Sequence, residues 1–162
     1  MTDLHCHILP AIDDGAKNAK VSMELLRMQN DAGITDIVCT PHFNPDSQNL
    51  EDFIDKRYRS ARYLADYVFR SELPVRLKFG AEVRISPTIL DLDFLPLCFQ
   101  KTKVMLLEMP RTLRPQWDTN VIYQLTLGGV IPLIAHIERY PYVQKNPNIA
   151  LDRGGRLFTS KC

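Results

Sequence analysis

Short apolar runs rich in β-branched residues alternate along this chain with amphipathic segments of helical period, and this alternation limits the possible folds more than any other feature. After an opening strand at "DLHCH", the runs "ITDIVCT", "VRLKFGAEV", "VMLLEM" and "VIPLIAH" read as strands, and a sixth begins at "RLFTS". Between them lie three predicted helices. The first covers Val21–Ala32, with Val21, Leu25, Met28 and Ala32 at helical spacing and Gly33 as its stop. The second runs from Leu50 to Phe69 with Phe53, Ile54, Tyr58, Ala61, Leu64 and Ala65, and the third from Trp117 to Leu127, closed by Gly128 and Gly129. Between Ser86 and Lys103, Pro87 and Pro96 break any period, so that stretch reads as loop with short helix. Strand, helix, strand in succession gives β/α units and a parallel sheet.

Metal-capable side chains fall at the C-terminal ends of these strands. His5 and His7 come first, then His42, Glu82, Glu108 and His136. Residues two apart on a strand share a face, so His5 and His7 point one way and Cys6 the other. In β/α folds that edge is where active sites are built. All four histidines of the chain occupy such positions. Singly, each fits a hydrogen-bonded structural role; together they point to a metal. A carboxylate closing an apolar strand, as Glu108 closes "VMLL", is costly if desolvated and unpaired. Asp13 and Asp14, ahead of Gly15, suit a turn or helix cap as readily as a metal.

Composition removes several alternatives. A net charge of +1 provides no broad field for nucleic acid, so a phosphorylated substrate must be held by local cations. No apolar run approaches the ~20 residues of a membrane span, and no signal segment is recognisable, which leads us to expect a cytoplasmic protein without membrane insertion. The four cysteines, Cys6, Cys39, Cys98 and Cys162, form no C-x-x-C. A cysteine-dependent phosphatase needs Arg six residues after its Cys, where this chain has Ile12, Pro45 and Val104. Mixed imidazole and carboxylate donors without thiolate suit manganese, iron or zinc rather than structural zinc or calcium.

In order along the chain, "DLHCHILPAIDDGA", "TPH", "GAEV", "LLEMP" and "AHIERY" resemble the successive motifs of the polymerase-and-histidinol-phosphatase (PHP) superfamily. More narrowly, they are similar to the bacterial tyrosine phosphatases that accompany capsule and exopolysaccharide tyrosine kinases. The resemblance implies a distorted, TIM-like β/α barrel with a cluster of up to three divalent metals, manganese foremost. It also implies hydrolysis of phosphotyrosine in a protein substrate, the tail of a bacterial tyrosine kinase. Positions matching the family's ligands are His5, His7, Asp14, His42, Glu82, Glu108 and His136, and Arg139 matches the arginine that holds the substrate phosphate.

The chain departs from the pattern in three places. Ile137 stands where Pro is usual and Ala11 where Gly is usual, and no Asp-x-His segment follows before Cys162. We therefore expect a single PHP domain over residues 1–162, incomplete at its C-terminal end, with an open strand edge that a homo-oligomer would cover. The alternatives are another phosphoesterase of the superfamily, of the histidinol-phosphate type, and an inactive form acting only by binding.

Overall fold

A computed structural model of the chain describes residues 1–151 together with Phe158 and Thr159. Cys162 lies outside the described residues. The strands are β1 (Thr2–Cys6), β2 (Asp36–Cys39), β3 (His42–Phe43), β4 (Arg76–Phe79), β5 (Glu82–Arg84), β6 (Val104–Glu108), β7 (Ile131–Ala135) and β8 (Phe158–Thr159). The helices are α1 (Ala19–Asp31), α2 (Leu50–Arg70), α3 (Asp118–Leu127), α4 (Pro141–Lys145) and α5 (Asn148–Leu151). Every strand pairing among the described residues is parallel, in two sheets ordered β1-β2-β4 and β3-β5-β6-β7-β8. The fold is mixed α/β, as the alternation of periods requires. The expected strand at "RLFTS" is present as β8, paired with β7.

One run that reads as a single strand is divided, and another is followed by a short strand that the pattern does not show. "ITDIVCT" ends at Cys39, and the chain re-enters the second sheet as β3 past Pro41, whose missing N–H cannot continue a ladder. "VRLKFGAEV" divides at Gly80, where a Cβ would lie 2.7 Å from Phe99 Cδ1. Gly80 N–H still reaches Cys39 O at 3.0 Å and Glu82 N–H reaches Pro41 O at 3.0 Å, so both breaks move in step from one sheet to the other.

The register holds an irregularity in β1. Asp3 is opposite Ile37, but Cys6, not His5, is opposite Cys39: β1 spends one more residue than β2 over the same span. Ile37, Cys39 and Cys6 belong to the main core, whereas Val38 packs in a smaller cluster with Phe99, Leu106, Leu133 and Ala135 on the other face. With the extra residue absorbed, Cys6 lies on the helix-covered side and His5 on the inner side. Asp3 Oδ1 accepts the His5 N–H at 2.9 Å within the bulge.

Helix starts follow side-chain caps. Asn18 accepts from Val21 N–H at 3.1 Å and Asn49 from Asp52 N–H at 3.0 Å. The expected apolar stripe of α1 is corrected, because its buried side is Ala19, Ser22, Met23 and Leu26, while Met28 is 68% exposed. The helix carries apolar residues on two sides, and the hydrogen bond from Gln29 Nε2 to Asp3 Oδ2, 2.7 Å, fixes its rotation on β1. Ser86–Lys103 contains two short 3-10 helices, Pro87–Asp91 and Leu95–Leu97, as its prolines suggest. No helix among the described residues is long and apolar enough to cross a membrane. Cys6, Cys39 and Cys98 are buried, and burial pushes the Cys39 and Cys98 thiols up, the latter to about 11.

Candidate metal centre

Parallel pairing aligns the inner-face residues into rows. Glu82 is opposite His42 on one side and Leu106 on the other, and Leu106 is opposite Leu133. The apolar row beneath the C-terminal edge is the small cluster of Val38, Leu106, Leu133 and Ala135. Above it the donors converge on Glu82, which is fully buried. Glu82 Oε2 lies 2.9 Å from His5 Nε2, 2.9 Å from His7 Nε2 and 3.3 Å from His42 Nδ1; Glu82 Oε1 lies 3.1 Å from His136 Nε2. Every histidine of the chain therefore faces one carboxylate.

The expected ligands form three overlapping groups whose donor atoms lie within 4.8 Å of one another: His5, His7 and Glu82; His7, Asp14 and His42; His42, Glu82 and Glu108. Asp14 is the outer member, 83% exposed, with Oδ1 3.5 Å from His42 Nε2. His136 joins through Glu82 and stacks obliquely on His5, ring centroids 4.5 Å apart. Its backbone is left-handed at φ 52°, an uncommon conformation outside glycine and of the kind found where a site dictates geometry. Arg139 stands apart from this cluster: it is exposed, in the short 3-10 helix after His136, with Nε 3.6 Å from Glu138 Oε1.

The donor set fits a cation. Asp13 Oδ2 accepts from His7 Nδ1 at 2.8 Å, so a neutral His7 turns an Nε2 lone pair towards His5 Nε2, 3.2 Å away, and towards the Glu82 carboxylate. Acceptors facing acceptors need a positive charge between them. In a proton-only state that charge sits on His7: burial alone would lower its pKa, but the hydrogen bonds to Asp13 and Glu82 outweigh burial and raise it to about 9. Burial likewise favours neutral Glu82, yet the hydrogen bonds from His5 and His7 and the charges of His5 and His42 hold it well below the usual carboxylate range. A divalent cation satisfies the same groups without the proton.

Four residues support the site in roles that the sequence reading did not assign. Asp13, which a turn explains equally well, also accepts the Gly15 N–H at 3.0 Å and the His42 N–H at 3.1 Å, tying the 7–16 loop to β3. Gly15 lies so close to His7 that a Cβ would be 2.2 Å from His7 O. Tyr140, 1% exposed, donates to Ala135 O at 2.7 Å and accepts the Met109 N–H at 2.9 Å, which clamps the residues following Glu108 to those preceding His136. Arg111 Nη2 is 3.5 Å from Glu108 Oε1. No periodicity encodes a tyrosine contact across 31 residues; only the adjacency of Asp13 to Asp14 gave any hint.

Comparison with known proteins agrees with this arrangement. The chain is 34% identical over 152 residues to the tyrosine-protein phosphatase YwqE of Bacillus subtilis, covering 92% of this chain and 59% of that protein. It is 26% identical over 160 residues to the tyrosine-protein phosphatase CpsB of Streptococcus pneumoniae, covering 90% and 60%. A solved structure from work on YwqE and CpsB, described as metal-dependent tyrosine phosphatases, superposes with a TM-score of 0.85 at 32% identity, over 99% of this chain and 65% of the other. The chain spans about three fifths of the length of the curated relatives it matches. Residues 1–153 match the family model described as capsular polysaccharide synthesis, CpsB/CapC, and the chain belongs to that family.

Proposed function

We propose that this chain hydrolyses phosphotyrosine in protein substrates, using divalent cations held by His5, His7, Asp14, His42, Glu82, Glu108 and His136. The observation that carries the reading is the convergence of all four histidines on the buried Glu82 carboxylate, with Asp13 fixing the His7 tautomer behind it. Three overlapping donor groups support a cluster rather than a lone ion; the imidazole-carboxylate set suits manganese, iron or zinc, and the family resemblance puts manganese first. Bound cations would lower the pKa of a water, aim it at phosphorus and screen charge on the phosphoryl oxygens.

The residues of the chain supply the rest. Glu82 and the histidines are pre-oriented by burial and mutual contact, so little reorganisation accompanies loading. Asp14 and the half-exposed His42 stand on the open side of the site, where a phosphoryl group would enter. Arg139, exposed and with Glu138 as its one ion-pair partner among the described residues, can offer a planar fork to phosphate oxygens. Buried Cys39, whose thiol is pushed up by burial, takes no part.

The family supports a role in capsule synthesis and the relatives support a phosphotyrosine protein as substrate; we take that substrate to be the tail of a bacterial tyrosine kinase in the cytoplasm. We read the two sheets as parts of one distorted β/α barrel forming a single domain, a reading that the all-parallel pairing of the described strands favours. The test is hydrolysis of a phosphotyrosine peptide by the manganese-loaded chain, compared with histidinol phosphate and with the chelated protein. Preference for the peptide, lost on chelation, is the expected result; preference for histidinol phosphate, or activity indifferent to chelator, would overturn the proposal.

A further inference from the structure

A cavity of about 640 Å³ lies between α2 and the 95–102 segment, and none of its lining residues belongs to the histidine cluster. We propose that it is a binding site for a small amphipathic anion: an acyl or aryl body with one carboxylate or phosphate head. Its size falls within the roughly 300–1,000 Å³ of small-molecule sites. Ile54, Phe79, Leu95 and Phe99 supply apolar wall, while Arg57, Arg62 and Lys101 supply three cations. Among the described residues, no Asp or Glu lines it.

The charge is uncompensated. Among the described residues, no carboxylate lies within 4.0 Å of Arg57, Arg62 or Lys101. Arg57 is the deepest of the three: Nη1 donates to Gly80 O at 2.8 Å, Nη2 to Pro96 O at 2.9 Å, and its guanidinium lies 5.5 Å from the Phe53 ring centroid. Carbonyls and a ring stabilise the cation without neutralising it, and burial pulls its pKa down. A partly buried guanidinium without an acidic partner, beside an apolar cavity free of acids, is complementary to an anion with an apolar tail. The segment that Arg57 grips, Gly80, lies two residues before Glu82, so the cavity adjoins the backbone of the metal centre without opening into it.

The probe is 1-anilinonaphthalene-8-sulfonate, titrated by fluorescence into the whole chain. Saturable one-to-one binding is expected with a dissociation constant on the order of 10 μM. Decanoate and decyl phosphate should displace it, decanol at least about tenfold less well, and the more potent of the two anions identifies the head group. The combined Arg62→Glu and Lys101→Glu change should weaken binding at least about tenfold, since each reversal sets a like charge against the anion. Ala65→Trp, which fills the cavity, should abolish it. In the unmodified chain, decanoate should slow hydrogen exchange across residues 95–102 and leave 5–16 unchanged. Absence of saturable binding, displacement by decanol as readily as by decanoate, or protection mapped to the histidine cluster would overturn the proposal.

Discussion

Asp13 and His7 are joined by a 2.8 Å hydrogen bond that decides which imidazole nitrogen faces the site. Asp13→Asn keeps the size of the side chain and removes the charge that selects the Nδ1–H tautomer. Losses of this kind typically cost about 10- to 100-fold in metal affinity, and manganese titration by calorimetry should show a drop in that range. An unchanged affinity would reduce Asp13 to a turn residue.

Glu82→Gln should be more severe, because four imidazoles share that one carboxylate. Bound metal per chain, measured by elemental analysis, should fall by at least about tenfold. Asp14→Asn, on the exposed side, should cost less, since solvent can replace the lost oxygen. If the two variants retain equal metal, the central position given to Glu82 is wrong.

The pH dependence has a definite sign. His7 is raised from 6.5 to about 9, so its contribution to the metal-free fold is complete below 6.5 and lost as pH rises through 9. Glu82 is depressed below its ordinary 4.5, so its contribution is complete above 4.5 and lost as pH falls towards its folded value. The chelated chain should therefore be most resistant to thermal unfolding between 4.5 and 6.5 with respect to these two groups. Cation binding must expel the His7 proton, so affinity should rise with pH up to about 9. Calorimetry at about pH 7, between the ordinary and the raised value of His7, in buffers of different ionisation enthalpy should detect the released proton; a buffer-independent enthalpy would contradict it.

Tyr140→Phe removes two buried hydrogen bonds, from the Met109 N–H and to the Ala135 carbonyl. Each typically contributes about 0.5–1.5 kcal/mol, a loss that urea denaturation should register. Because this hydroxyl holds the Glu108 and His136 segments together, metal affinity should fall as well. Tyr142→Phe, which loses a bond to Pro110 O in a partly exposed position, should do less.

Ala11 has φ 55° in the loop closed by Ala11 N–H to Ala16 O at 2.8 Å and Ala16 N–H to His7 O at 3.1 Å. Ala11→Gly should raise stability by about 1 kcal/mol, since only glycine occupies that region without Cβ strain. Gly15→Ala should do the reverse and disturb His7, which its Cβ would strike. Differential scanning of both variants separates the two effects; an Ala11→Gly protein less stable than the parent would mean that the added freedom of the unfolded chain outweighs the relief of strain.

What could be read from the residues was the period of each element and the order of ligand types. Helices α2 and α3 lie within one residue of their expected bounds, since capping and apolar spacing are local properties. The division of "VRLKFGAEV" was not legible, because Gly80 is compatible with one strand until the packing of Phe99 is known, and neither was the two-residue β3 after Pro41. The buried side of α1 was misread for a related reason: Leu25 and Met28 compete with Met23 and Leu26, and a contact from Gln29 to Asp3 decides between them. At the site, the convergence of His5, His7, His42, Glu82, Glu108 and His136 followed from strand ends alone. Asp13 and Tyr140 act across the chain through hydrogen bonds, which leave no spacing to read.

The bulge in β1 separates the length of the strand from the sides its residues take. Side chains on a strand take one of two sides, and the extra residue lies between Asp3 and Cys6, which pair with Ile37 and Cys39. Removing Leu4 would leave two steps on each strand between the Asp3–Ile37 and Cys6–Cys39 pairs, so Cys6 would stay opposite Cys39 and the imidazoles would stay on the inner side. The bulge thus absorbs a difference in length while the strand keeps its faces.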